Sequence, residues 1–302
     1  MIKNYYSNGK LLLSGEYAIL DGAEGWAIPT KFGQHLTVKN TTTNYLSWKS
    51  INADGTTWFE GIYLLEDFKE VSSSHSEISE NLIKILSEIR LLNSDFLLKG
   101  DGYSVTTTLT FPREWGLGTS STLIVNLSEW AKVNPYTLLA KTFGGSAYDI
   151  ACAQHDTPII FQLKDKKPSI TALNQIPPFA DALFFVYLNQ KKNSREAIAA
   201  YRNLAIDKDE LTQKINQLTR KMITIQSLTG FEDLLNSHEQ TLSKVLKIAP
   251  IKEQLFSDYN GSIKSLGAWG GDFVMATGNK ETRSYFESKG YPIVIPFSDM
   301  IL

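Results

Sequence analysis

Residues 111–123, FPREWGLGTSSTL, hold the types and order of side chain that most directly suggest chemistry. A proline closes a β-branched run, a Gly-Leu-Gly turn follows, and Thr119, Ser120 and Ser121 open a helical pattern. Glycines let a backbone approach a ligand closely and take positive φ. A helix N-terminus presents N–H groups without intrahelical partners and a partial positive charge. Hydroxyls at that position can donate to phosphate or help hold Mg²⁺. Together these make an anion site without a Walker lysine, and the chain contains no G-x-x-x-x-G-K-[ST]. The same residues also read as a glycine turn with Ser/Thr capping.

Three other stretches carry residues of this kind. NGKLLLSGEYAILDG at 8–22 sets Lys10 before three leucines and then breaks the apolar run with Gly15 and Glu16. A strand favours the leucines and disfavours Gly15 and Glu16. Lys10 is therefore either a snorkelling strand-edge lysine or a cation carried into a site. GGSAYDIACA at 144–153 puts Asp149 in a short helix, as a helix-start charge or, in a cleft beside a lysine, as a general base. KSLGAWGGDFVMATG at 264–278 puts Gly267, Gly270 and Gly271 in a turn between two strands. That turn is a bulged hairpin or backbone packed against a ligand.

The elements that must position these residues follow from periodicity. The first 70 residues read mostly as strands (HLTVKN, NYLSWKS, TTWFEGIYL) separated by Asn, Asp and Gly. Residues 76–93 carry Ile78, Leu82, Ile85, Leu86 and Ile89 at helical spacing and read as an amphipathic helix opened by Ser76. YSVTTTLTF at 103–111 is a strand that Pro112 ends. A helix-like segment spans about 135–153, and TPIIFQL is a strand. The turn-rich stretch 165–178 holds three prolines and marks a domain boundary. Beyond it the order is strand, helices over about 194–258, strand (SIKSLGA), strand (DFVMATG), helix (KETRSYFESKG) and strand (YPIVIPF). That is a split β-α-β-β-α-β pattern.

Composition bounds the rest. The 302 residues are 42% hydrophobic and 21% charged, with a net charge of −2. These are values for an ordinary globular protein with no global attraction to nucleic acid or acidic membranes. The single cysteine, Cys152, excludes an intrachain disulfide and fits a reducing compartment. No signal peptide or membrane-length apolar run is visible, so the expectation is a cytoplasmic protein with no nucleic-acid or membrane partner. His35, His75, His155 and His238 lack metal-ligand spacing. Trp26, Trp48 and Trp58 read as sheet and core aromatics.

Taken in order, these stretches resemble the GHMP kinases: galactokinase, homoserine kinase, mevalonate kinase and phosphomevalonate kinase. Gly9, Lys10, Gly15, Glu16 and Tyr17 match a Gly-Lys start with a downstream Gly-Glu-His/Tyr. Pro112, Gly116, Leu117, Gly118, Thr119 and Ser120 match Pro-x-x-x-Gly-Leu-Gly-Ser-Ser. Ser146 and Asp149 match part of Ser-Gly-x-Asp, and Gly267, Gly270 and Gly271 match a late Gly-x-x-Gly-Gly loop. KKNSREAI at 191–198 is similar to a Ser/Thr-Arg segment of mevalonate kinases. Tyr17 and Asp272 look most like the phosphomevalonate kinase branch.

The resemblance implies an α+β fold of two domains. An N-terminal ribosomal-protein-S5-domain-2-like, ATP-binding domain would span 1–172. A C-terminal ferredoxin-like domain would span 173–302, with the active site in the cleft between them. It implies a kinase that uses ATP and Mg²⁺ on a small anionic or hydroxylated acceptor, acting as a monomer or homodimer. The implied catalytic residues are Lys10 and Asp149. The implied ATP and phosphate site is Gly116, Leu117, Gly118, Thr119, Ser120 and Ser121, with Ser120 at the metal. On the substrate side are Glu16, Tyr17, Ser194, Arg195, Gly270 and Gly271. Lys191, Lys192 and Arg195 are candidate cations for an anionic acceptor.

Four positions depart from the family pattern. Glu114 and Trp115 stand where small residues are usual, and a carboxylate beside a triphosphate must point away. Ala147 stands where the aspartate motif has glycine. Leu138 stands where mevalonate kinases carry a Mg²⁺-holding glutamate, which leaves Glu129 as a candidate substitute. Alternative readings are a sugar or amino-alcohol kinase of the same fold, or a nucleotide-binding relative with little or no turnover.

Overall fold

The structure is a computed structural model that describes residues 1–98, 102–165, 167–190, 194–267, 269 and 271–302. In chain order its strands are β1 (Ile2–Ser14), β2 (Gly25–Asn40), β3 (Tyr45–Ile51), β4 (Thr57–Leu64), β5 (Glu70–Ser73), β6 (Tyr103–Leu109), β7 (Ile159–Lys164), β8 (Lys167–Ala172), β9 (Leu183–Tyr187), β10 (Ile263–Ser265), β11 (Phe273–Thr277) and β12 (Val294–Pro296). Its helices are α1 (Ser76–Leu92), α2 (Thr119–Ala131), α3 (Pro135–Thr142), α4 (Tyr148–Ala153), α5 (Ser194–Arg202), α6 (Lys208–Thr224), α7 (Leu228–Leu246), α8 (Ile251–Leu255), α9 (Thr282–Ser288) and α10 (Phe297–Met300). The fold is α+β. By packing, the chain groups into two compact units, each built from separate segments: Met1–Gly9, Phe32–Arg113 and Leu117–Gln154 in one, Lys10–Lys31, Glu114–Gly116 and His155–Leu302 in the other. The division at 172/173 is by fold type, and we keep it as a proposal.

Alternation builds the first unit. Leu46 and Trp48 on β3, Phe59 and Tyr63 on β4 and Val105 on β6 all face one side and are buried. Successive strand residues point to opposite faces, so a period of two collects them on the covered face. The strands run in the order β5-β4-β3-β6-β2. β3 pairs parallel to β6, and the other pairs are antiparallel. Helices α1 to α4 cover that face and add Leu82, Ile85, Leu86, Ile89, Ile124, Leu127, Leu138 and Ile150 to one core.

In the second unit, the first residues of β2 pair with β7, and β7 pairs with β8. A separate antiparallel sheet runs β10-β11-β9-β12. With α5–α8 after β9 and α9 before β12, this is the split β-α-β-β-α-β arrangement that the sequence order predicts. Val186, Ile263, Val274, Phe256 and Phe286 centre its core.

Four local expectations change. The segment read as one helix over 135–153 breaks into α3 and α4, because Gly144, Gly145 and Ala147 take φ of 67°, 109° and 69°. The turn-rich stretch at 165–178 contains β8. Pro168 is tolerated there because β8 pairs on one side only, as an edge strand. β1 reaches back to Ile2, through residues with no apolar alternation. The cap position of α1 is His75, with no side-chain bond. Ser79 instead turns inward, donating to Glu70 and lying 2.9 Å from the Tyr63 hydroxyl. No helix among the described residues is long and apolar enough to cross a membrane.

Candidate active site

Lys10 is half-buried in β1, between the buried Ser7, Asn8 and Gly9 and the buried Leu11, Leu12 and Leu13. Its ammonium donates to the Gly116 carbonyl at 3.0 Å. Gly116 has φ 66°, and a Cβ built on it would lie 2.0 Å from Asp272 Oδ2. Only glycine fits there without displacing Asp272. Asp272 is fixed by its own backbone: its N–H donates to the Gln190 carbonyl at 2.9 Å, and its carbonyl accepts from the Leu188 N–H at 2.8 Å. Within this unit, therefore, the stretches at 8–22, 111–123 and 264–278 meet at Gly116. Gly271 is buried just before β11. Gly270, Lys191 and Lys192 lie outside the described residues.

The two unusual residues before Gly116 have a structural role. The Trp115 ring packs edge-on against Phe273 at 5.5 Å and tilted against Tyr187 at 6.3 Å. The Tyr187 hydroxyl donates to the Glu114 carbonyl at 3.2 Å, and Glu114 is exposed. Trp115 thus anchors the loop on β9 and β11, a burial that its sequence position alone does not suggest.

In the other unit, Gly118 (φ 97°) precedes α2 and offers no side-chain cap. By contrast, the side chain of Asn134 caps α3, accepting from the Thr137 N–H at 3.0 Å. The first turn of α2 therefore keeps the amide dipoles that bind anions. Leu117 is buried and contributes backbone only. Ser121 is also buried, and its hydroxyl donates to the Gly118 carbonyl at 2.8 Å, leaving its amide as what it can offer a phosphate. Thr119 is half-buried and Ser120 exposed, so Ser120 presents its hydroxyl to solvent.

Asp149 lies half-buried in the first turn of α4, which packs on α2. The chain enters α4 through Ala147 in the left-handed region, the place where the family pattern has glycine. No group of three His, Cys, Asp or Glu among the described residues could hold a metal. Ser120 together with nucleotide phosphates fits Mg²⁺ better than a carboxylate cage does. Glu129 does not complete that set, because nine residues of α2 separate it from Ser120, about 14 Å along the axis.

Glu16, expected on the substrate side, is fully buried. Its carboxylate pairs with Lys264 through Oε1 and lies 3.4 Å from His238 Nε2 through Oε2. Tyr17 takes φ 60°, outside the ordinary regions. Burial, with the charge of Glu16, pushes its phenol up to about 12. Its ring meets that of Tyr201 at 5.3 Å. The Tyr201 hydroxyl donates to Asp21 Oδ2 at 2.7 Å, and Lys208 reaches Asp21 Oδ1 at 3.2 Å. Tyr201 is in the last turn of α5, and Ser194 and Arg195 are in its first. Sequence reasoning found neither Tyr201, Asp21 and Lys208 nor Lys264 and His238. The available signal was a histidine and a glutamate on the apolar stripe of α7, Phe231, Leu235, His238 and Leu242.

No protein-family model matches the sequence, and no curated protein sequence does. Solved structures are similar over nearly the whole chain. Methanococcus jannaschii mevalonate kinase is 16% identical, with a TM-score of 0.69 over 96% of this chain and 94% of that one. Streptococcus pneumoniae phosphomevalonate kinase, in complex with phosphomevalonate and AMPPNP, is 14% identical with a TM-score of 0.69 over 95% of each chain. Lactococcus lactis galactokinase, complexed with galactose, is 14% identical with a TM-score of 0.68 over 98% of this chain and 94% of that one.

Proposed function

From the GHMP-kinase fold that the chain shares with these enzymes, we propose that it is an ATP-dependent small-molecule kinase. It transfers the γ-phosphoryl group to an alcohol or phosphate acceptor, of the mevalonate or phosphomevalonate kind. The observation that carries the reading is the bond from Lys10 to the Gly116 carbonyl. It ties a cation to a glycine loop that continues into the uncapped first turn of α2. Phosphoryl transfer asks a protein mainly for such positioning and charge stabilisation.

The glycine backbone and the amides of Thr119, Ser120 and Ser121 hold the triphosphate. Ser120 is the residue that would hold Mg²⁺, which when bound neutralises phosphate charge. Lys10 offsets negative charge developing on the transferred group. Asp149 accepts the acceptor's hydroxyl proton, or orients an acceptor that is already ionised. Glu114 is exposed and Trp115 is committed to Tyr187 and Phe273, so neither blocks the phosphate site. A reducing, cytoplasmic setting fits the one buried cysteine, Cys152.

The test is ADP release from ATP-Mg²⁺ with mevalonate, phosphomevalonate, homoserine and galactose as acceptors, beside direct measurement of ATP-Mg²⁺ binding. Turnover with mevalonate or phosphomevalonate is expected. Turnover with galactose or homoserine alone would move the acceptor to the sugar or amino-alcohol class. Nucleotide binding without any turnover would favour a non-catalytic relative.

A further inference from the structure

Four ionisable side chains, Glu16, His238, Glu239 and Lys264, are buried together in the second unit, each no more than 2% exposed. The Lys264 ammonium pairs with Glu16 Oε1 and donates to the Ser265 carbonyl at 2.9 Å. Glu239 Oε2 accepts from the Ser265 hydroxyl at 3.1 Å. The Gly15 N–H donates to His238 Nε2 at 3.5 Å, and the Ser14 and Thr219 hydroxyls meet at 2.5 Å. Among the described residues, Glu16 Oε2, His238 Nδ1 and Glu239 Oε1 make no hydrogen bond. In a low-dielectric interior such unpaired atoms are costly, so the cluster is sensitive to any added charge.

What this cluster supports is a turn that needs support. Gly15 has φ 98°, and a Cβ there would lie 2.8 Å from Gly25 Cα. Tyr17, a non-glycine residue, takes φ 60° and ψ −52°. Such a conformation persists only where its surroundings hold it. Glu16 lies between the two, and its side chain is the turn's link to β10 and α7.

We propose that Lys264, His238 and Glu239 are positioning residues that hold the Gly15–Glu16–Tyr17 turn through Glu16, and that ionisation of Glu239 loosens the turn and weakens acceptor binding. The acceptor part rests on the kinase reading; the support of the turn does not. The one ammonium is paired with Glu16 and acts on Glu239 through space, so ionising Glu239 adds a second negative charge that draws on Lys264 and leaves the cluster with a net buried charge.

The charges that face Glu239 are Lys264 from β10 and Glu16 from the turn. On its own helix, His238 is held neutral, well below its ordinary range, by burial and then by Lys264. Glu232, on the same helix, takes the Thr277 hydroxyl. From α6, Arg220 is exposed and paired with Glu24. Burial pushes the Glu239 carboxyl up to about 7, against the pull of Lys264 and with the push of Glu16. The competition therefore falls near neutral pH.

Amide hydrogen exchange of the intact wild-type protein, corrected for intrinsic rate, tests this at about pH 6 and about pH 8. Protection of residues 12–22 should fall at the higher pH in the wild type and stay level in Glu239→Gln. Equal wild-type protection at both pH values would overturn the proposal, and that arm needs no variant to fold. An equal fall in wild type and variant would also overturn it. With whichever of the four acceptors turns over, wild-type acceptor KM should rise at least about threefold over this range while ATP KM and kcat change less than about twofold. In Glu239→Gln the acceptor KM should stay level. A wild-type acceptor KM that is level, or that moves with ATP KM, would overturn the acceptor part. If exchange responds as expected and no acceptor turns over, the support of the turn stands and the kinase reading falls.

Discussion

A methyl group on Gly116 would stand 2.0 Å from Asp272 Oδ2, and the residue's φ of 66° adds a second cost. The left-handed backbone alone costs an L-residue roughly 1–2 kcal/mol. Gly116→Ala should therefore destabilise by about 2 kcal/mol or more in denaturant titrations. Adding Asp272→Ala should recover the steric share and leave the backbone share. Wild-type stability in the single variant would contradict the geometry. Ala147 is the converse case: at φ 69° it carries the strain that glycine would relieve. Because glycine also loses about 0.5–1 kcal/mol more backbone entropy on folding, Ala147→Gly should change stability by less than about 1 kcal/mol. Ala147→Val should cost more than about 2 kcal/mol, because β-branched residues tolerate that region worst.

At this scale the residues of the proposed site are legible because they sit in local runs. Lys10, Gly116, Ser120 and Asp149 each stand out beside a glycine or a helix start. The ion pair of Glu16 with Lys264 spans 248 residues and leaves no local signal. His238, read from spacing as an unremarkable histidine, acquires its neighbours only when α7 packs beside β10.

At the scale of elements, α7 carries two opposing pH responses. Folded Glu239 titrates at about 7 against an ordinary 4.5. The native state therefore binds the extra proton, and that contribution to stability is full below 4.5 and lost as pH rises to 7. Folded His238 titrates well below 6.5, so its contribution is full above 6.5 and lost as pH falls. Between pH 4.5 and 6.5 the two slopes oppose each other. Relative to wild type, Glu239→Gln should gain stability as pH rises through that window. His238→Asn should lose stability as pH rises through it. Thermal unfolding over pH checks the signs, and parallel curves for all three proteins would contradict the assignment. Element types are readable from period: α1 declares itself by residues three and four apart, and β3, β4 and β6 by alternation. β8 escapes because it is an exposed edge strand carrying Pro168, with no apolar alternation to mark it. The break between α3 and α4 lies at Gly144 and Gly145, which the sequence displays without saying that both take positive φ.

For the whole molecule, the proposed function rests on the order of the glycine stretches along the chain. β1 and β2 each contribute residues to both packed units, and the loop through Gly116 and Leu117 carries the chain from one unit to the other. The reading assigns that loop to ATP, and ligand binding to the native state should register as stabilisation. At a hundredfold excess over Kd, ATP-Mg²⁺ should add about 2.7 kcal/mol to the unit that holds it. Ser120→Ala should weaken that effect more than Ser121→Ala, whose hydroxyl is already given to the Gly118 carbonyl.

The most direct measurement is steady-state ADP release by Asp149→Asn and Lys10→Met, with ATP-Mg²⁺ affinity measured on the same proteins. The account predicts that each loses on the order of 10²–10⁴ in kcat while nucleotide affinity changes by less than about tenfold. Turnover within a few-fold of wild type in either variant would contradict it.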